Sequence, residues 1–431
     1  VSLRLGTFPV ERIEFGNRTS WDNGLLTVDK EGLEDLVRSK EPRVGHLRID
    51  AAAPGESARI IHVQDVLEPR VKVEGGGMVF PGVCGRPVDT VGAGVTHRLG
   101  GLAVVESALG PRAASVRTMT ADEALRLPQN ERPQDFIEMS GPGAVLPYAS
   151  LTNVVVHVDP KPGVSGEDHY LVTHGAALAV ADALAECVRD MDPPQVETVD
   201  TSQRGASLPG VVFNCNLMSM EHWAGPDTKM GTAVYGVTRL SAPWVLSPAE
   251  MLDGAVSQRV SWHFTNNPVV RELLDRHGKD LNFLACIIQR TNWGGQNEMQ
   301  LSANRSAQVA SLMGAKGAVI TTNIRGRRFV DTVLGVTAYE SSGIRTVLIT
   351  EEEDDENGAA PPLLVYTPEM QAVVSTGAGA VPGPFHPVER VIGAREGDEA
   401  WAGPLPPIAG RYGAFHLQDY YGFGAQSKED Y

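Results

Sequence analysis

Trp262, His263 and Asn266 lie together in SWHFTNNP, and their types suit recognition of a small charged molecule. An imidazole near neutral pH can protonate a leaving group or hold a carboxylate, which makes His263 the first candidate for chemistry. The indole of Trp262 can meet an alkylammonium through cation–π attraction, and Asn266 brings a hydrogen-bonding amide. His97 is the second candidate. It closes VDTVGAGVTH, where Asp89 and His97 flank a glycine run and can orient one another. With VEGGGMVFPG, that run can bring backbone N–H groups to a carboxylate or phosphate, or simply form two tight turns. GAGVTH has no GxGxxG pattern, so it does not read as a dinucleotide site.

Four more residues are candidates for holding a substrate or reacting with it. Glu138 starts EMSGPGA, where an acid can bind a cationic nitrogen or satisfy a turn. His169 and His174 are five apart rather than i, i+4, so no zinc pair on one helix face is expected. Asp168 reads as a helix N-cap, which lets His169 in the first turn face the cleft at a strand's carboxyl end. Cys215 ends VVFNCNL in a similar position. It would be nucleophilic with a lowered pKa, and is otherwise a small buried hydrophobe. Cys84, in the turn FPGVCGRP, is the more exposed thiol, and no cysteine has a resolving partner nearby.

Strands and helices must position these groups. Over residues 1–110, LRIDAAA, ARIIHVQDVL and GLAVVESAL read as strands, LEDLVRSK as a helix, and GNRTSWDNGLLTVD as a hairpin turning at Asn23–Gly24. Residues 111–135 are polar, an exposed loop. Beyond them come the apolar strand NVVVHVDP and a helix with the stripe Ala177, Val180, Ala181, Leu184, Cys187 and Val188. Asn267 and Pro268 cap a helix with apolar Val270, Leu273 and Leu274, which Arg276, His277 and Gly278 close. LNFLACIIQ, GAVITT and RTVLIT are strands separated by helices, one of them SANRSAQVASLMG, running from a Ser cap to Gly314. EEEDDENGAAPP (351–362) reads as a solvated loop. The fold expected is α/β: a β-rich N-terminal domain over 1–135, then doubly wound, mostly parallel, Rossmann-like α/β regions over 136–265 and 266–380. A Gly-, Pro- and aromatic-rich tail over 381–431 is a possible interface.

Composition narrows the function. The 37 basic and 53 acidic residues give a net charge of −16 with no basic run, which argues against nucleic-acid binding. No apolar run approaches the ~18–20 residues of a membrane span. The opening VSLRLGTFPVERIEFG lacks a signal peptide's apolar core, so a cytoplasmic protein with reduced thiols is expected.

EFGNRTSWDNGLLTVDKEGLEDL, EPRVKVEGGGMVFPG, VDTVGAGVTHRLGGLAVV, FIEMSGPGA, MLDGAVS, NNPVV, HGKDLNFLACII and GIRTVLITEE follow one another along the chain. In order and spacing they resemble the precursor subunits of glycine/sarcosine/betaine reductase component B. The resemblance covers most of residues 1–355. It implies a subunit that binds a small amine beside a second reductase subunit bearing a reactive cysteine or selenocysteine. The thiolate or selenolate displaces the amine, and thioredoxin-like and acyl-transfer components take part downstream. It also implies that the loop between MLDGAVS and NNPVV is a self-cleavage junction, where a cysteine becomes a pyruvoyl group. This chain has no cysteine between Cys215 and Cys286. The expectation is an uncleaved polypeptide without that cofactor, acting on an N-alkylated, quaternary or otherwise activated substrate, with His263 near the pocket. A non-catalytic scaffold for the reactive partner, or an enzyme turned to other heteroatom chemistry in a biosynthetic pathway, are the alternatives.

Overall fold

The computed structural model describes residues 2–80, 89–109, 135–164, 167–217, 233–234, 243–257, 260–290, 296–322, 329–352, 363–376, 385–394, 398–405 and 414–415. The chain is a mixed α/β protein, with strands outweighing helices. Most of the 111–135 loop, Cys84 and most of the acidic run 351–362 lie outside the described residues.

Two four-stranded sheets form the N-terminal half. In the first, Ser2–Pro9 pairs parallel with Gly94–Gly100 and antiparallel with Gln195–Asp200, while Arg70–Glu74 forms the far edge. In the second, Leu102–Ser107 pairs parallel with Thr152–Pro160 and antiparallel with Val63–Leu67, while Val44–Ala52 lies outside Thr152–Pro160. Strands from beyond residue 135 thus complete both sheets. Gly101 joins them at φ 77°, and a Cβ there would sit 2.8 Å from the Val10 carbonyl oxygen. The expected hairpin is present between Ser20–Asp22 and Leu25–Val28, with Asn23 and Gly24 both at positive φ.

The helix Glu167–Glu186 lays its apolar stripe on these sheets. Ala177, Val180, Ala181 and Leu184 join Leu3, Leu5, Phe8, Leu102 and Val154 in one core. Each fully buried Val or Leu there contributes roughly 1.5–3 kcal/mol. Asp168 is not the N-cap: Glu167 is already helical, and Asp168 pairs with Arg43 at 2.7 Å.

The C-terminal half is a six-stranded sheet in the order Trp244–Leu246, Asn282–Arg290, Gly210–Leu217, Ala315–Thr322, Arg345–Thr350, Val373–Ser375. All its pairings are parallel except that of the first strand. The helices Gln296–Leu312 and Phe329–Ser341 pack on each other and on one face, over Val212, Ile287 and Ile320. The other face, carrying Phe213, Cys215, Cys286 and Ile288, joins the N-terminal core together with Met251, Leu252, Phe264 and Val270. Burial on both faces explains why these strands are continuously apolar. Gln296–Leu312 starts before its expected Ser cap and ends at Gly314, which has φ 80°. Asn267 caps Pro268–Asp275, its Oδ1 accepting from Val270 N at 3.0 Å.

The tail returns to the N-terminal half. Arg390–Ile392 pairs parallel with Ala58–Ile60, and Phe385, Trp401 and Leu405 bury against Ile61 and Phe136. Among the described residues no helix is long and apolar enough to cross a membrane.

Candidate functional site

Antiparallel pairing sets Asp65 in Val63–Leu67 opposite Glu106 in Leu102–Ser107, and both carboxylates are buried. The helix Glu167–Glu186 adds His174, which is fully buried. Its Nδ1 lies 2.8 Å from Glu106 Oε2 and 3.9 Å from Asp65 Oδ2, and its Nε2 lies 2.8 Å from Ser257 Oγ. Asp65 Oδ1 accepts from the backbone N–H groups of Val66 and Ser261, each at 2.8 Å, and its Oδ2 accepts from Ser261 Oγ. Burial pushes the Asp65 carboxyl above its usual range. His174 opposes that shift, Glu106 adds to it, and the Ser261 donors oppose it. Glu106 Oε1 is buried with no hydrogen-bond partner.

This arrangement permits two kinds of chemistry. Ser257, His174 and Glu106 form a line of hydroxyl, imidazole and carboxylate, the order that lets an imidazole carry a proton from a serine. Alternatively, one ligand atom each from Asp65, Glu106 and His174, all within 4.8 Å of one another, could hold a metal ion.

Ser257 and Ser261 bring the 253–267 segment onto this cluster, and three further contacts pin it. Asp253 accepts from Lys72 Nζ, from Gly92 N at 2.8 Å and from Thr96 Oγ1 at 2.6 Å. Arg70 donates to the Leu252 carbonyl at 2.7 Å. Asn266 Nδ2 donates to Glu68 Oε1 at 3.3 Å. The glycine-rich turns therefore present Gly92 N–H to the chain's own Asp253 rather than to an outside anion. At Gly94, with φ 78°, a Cβ would fall 2.0 Å from the Glu74 carbonyl oxygen.

The short helix Ser261–Thr265 carries His263 beside the cluster. Its Nε2 shares a 2.8 Å hydrogen bond with the Tyr148 hydroxyl, and the two rings stack with centroids 5.8 Å apart. Burial lowers the imidazole pKa to about 3, so His263 is neutral near neutral pH. A neutral imidazole differs from the acid expected at this position, and its Nε2 is engaged by the Tyr148 hydroxyl. Trp262 stays partly exposed, edge-on to Tyr148, and Asn266 also bonds to Thr265.

The other expected residues divide. His169 does sit at the carboxyl end of Leu102–Ser107, hydrogen-bonded to the Leu109 backbone; burial lowers its pKa, against the influence of the nearby Glu106 charge. His97 is elsewhere. It is buried against Phe8 and bonded through Nδ1 to the Val188 carbonyl at 2.8 Å, while Asp89 lies on the surface, so the two do not orient one another. Glu138 is paired already: Arg59, fully buried, donates to it at 2.6 Å and also reaches the carbonyls of Trp401, Gly403 and His386. A cationic substrate would have to displace that guanidinium. Cys215 is wholly buried in the core, and burial with Cys215 alongside pushes the Cys286 thiol well up, the opposite of activation.

Sequence reasoning missed Asp65, Glu106, Tyr148, Ser257 and Ser261. Asp65 and Glu106 each interrupt an apolar strand, and that was the available signal, because a buried charge demands a partner.

Residues 1–428 match the family of glycine/sarcosine/betaine reductase component B subunits. The chain is 29% identical to the sarcosine reductase complex component B subunit alpha of Peptoclostridium acidaminophilum, over 96% of this chain and 95% of that protein. It is 31% identical to the glycine reductase complex component B subunits alpha and beta of the same organism, over 91% and 89% of the two chains. It is 30% identical to that organism's betaine reductase complex component B subunit alpha, over 94% and 91%. No solved structure matches the chain. With the family match running over residues 1–428 and relatives about 30% identical over nearly their whole length, the chain belongs to the glycine/sarcosine/betaine reductase component B family.

Proposed function

We propose that this chain is the substrate-binding subunit of a component-B-like reductase complex working without a pyruvoyl group. A cysteine or selenocysteine on a partner subunit displaces nitrogen from a small amine or amino-acid-like substrate, giving a carbon–sulfur or carbon–selenium adduct that later components of the complex reduce. Family membership supports the reductase reading. The observation that carries the pyruvoyl-free part is the absence of cysteine between Cys215 and Cys286, where the junction would lie. This chain's contribution is orientation, which can be worth ~7–11 kcal/mol of barrier when reacting groups are held in line. The partly exposed Trp262 ring suits an N-alkylated or quaternary ammonium, and such a substrate needs no carbonyl to activate it. The parallel C-terminal sheet is read as a Rossmann-like, doubly wound frame, and the complex as cytoplasmic.

The test is co-purification from the native host, followed by denaturing mass spectrometry of the intact chain. An unbroken mass together with a thiol- or selenol-bearing partner supports the proposal. Two fragments would refute the pyruvoyl-free part, and Ser257 and Ser261, the hydroxyls set against His174 and Asp65, are the first places to look for a break. Unchanged turnover by a Trp262→Ala complex that assembles normally would favour the scaffold role.

A further inference from the structure

We propose that Asp65, Glu106 and His174 form a binding site for one divalent first-row transition-metal ion. Three observations carry this, none of them dependent on the reductase reading. The first is charge. Two carboxylates, 3% and 1% exposed, face the His174 imidazole, the only basic group among the described residues within ion-pair distance of either, while His169 lies near enough to feel Glu106. By contrast, Glu68 has Arg70 and Arg98 beside it, and Glu138 has Arg59. A divalent ion would supply the missing charge.

The second is the orphan oxygen. Glu106 Oε1 is buried without a hydrogen-bond partner, although its carboxylate borders both Asp65 and His174. The third is the way the donors are held. Ser257 Oγ can accept from Nε2–H of His174, which leaves the Nδ1 lone pair directed at the two carboxylates. Asp65 is fixed by Val66 and Ser261. Such outer partners orient metal-binding imidazoles and carboxylates. Metal bonds of about 2.0–2.2 Å to nitrogen and oxygen bring ligand atoms roughly 3–4 Å apart, so a set within 4.8 Å needs only slight closure. One imidazole and two carboxylates suit Zn2+, Mn2+ or Fe2+, and three protein donors leave a position open for an oxygen ligand.

The experiment uses the full chain, stripped by chelator dialysis and titrated with Zn2+ and separately with Mn2+ by calorimetry. Co2+ absorption serves as a spectroscopic readout. One equivalent is expected for the wild type. Ser257→Ala should weaken binding by ~10–100-fold, the usual cost of losing an outer-shell partner. Glu106→Gln, nearly isosteric, should weaken it further and abolish the Co2+ bands while leaving the circular dichroism unchanged. Absence of stoichiometric binding by the wild type would overturn the proposal, as would Glu106→Gln and Asp65→Asn binding as tightly as the wild type. Partner loss or a silent reductase assay would bear on the proposed function alone.

Discussion

His263 should make the protein acid-sensitive in a defined window. Its pKa is about 3 in the folded chain, against about 6.5 for an unperturbed histidine. A folded pKa that lies below the unfolded one means the unfolded chain binds the extra proton first. The contribution is fully present above pH ~6.5 and is lost progressively as pH falls from there toward 3. Each pH unit inside the window is worth 1.36 kcal/mol, so the loss at pH 5 is about 2 kcal/mol. The site is almost closed to solvent, so screening removes little of this. Denaturant unfolding of wild type and His263→Gln at pH 7.5 and pH 5 measures it. Glutamine keeps a hydrogen bond for Tyr148 and cannot titrate. Its own cost cancels when each protein is compared with itself at the two pH values. The wild type should lose about 2 kcal/mol more than the variant. Parallel pH dependence in the two proteins would show that His263 is not held neutral by burial, and the reasoning about its chemistry would fall with that.

Glu138→Gln should destabilise the fold by about 3–5 kcal/mol, because Arg59 is left charged and fully buried, and chemical denaturation would register it. Asp253→Asn removes the charge from the carboxylate that accepts from Lys72 and Gly92, so proteolysis between residues 253 and 267 should accelerate at unchanged secondary structure. Gly94→Ala places a methyl group 2.0 Å from the Glu74 oxygen at φ 78°, so soluble yield and melting temperature should both fall. Cys215 and Cys286 should resist alkylation in the native chain and react only after unfolding, since both are fully buried.

The features legible in the sequence were those set by near neighbours. The Asn23–Gly24 turn, the Asn267–Pro268 cap and the apolar strands of the C-terminal sheet depend on residues a few positions apart, and each is where its local chemistry puts it. The partners of His97 and Glu138 were not legible for the opposite reason. Val188 and Arg59, which occupy them, come from distant parts of the chain. The same holds for the acid–imidazole cluster: Asp65 meets Glu106 only through strand register, and His174 reaches them only because its helix packs across that sheet. The five-residue spacing from His169 speaks only to a two-histidine pair on one helix face. It could not reveal carboxylates arriving from two strands.

The segment around residues 258–259 bridges two lengths of chain that are held together independently of it. Gly210–Leu217 lies before it, yet pairs with Asn282–Arg290 and Ala315–Thr322 after it, while Arg390–Ile392 returns to Ala58–Ile60. Severing the backbone there would yield two polypeptides still joined as one particle, indistinguishable by native size from the intact protein. The lengths of chain on either side of that point are therefore held together by strand pairing as well as by the backbone. A lineage could acquire or abandon a scission there while keeping the same sheets, and only denaturing conditions would reveal which had happened.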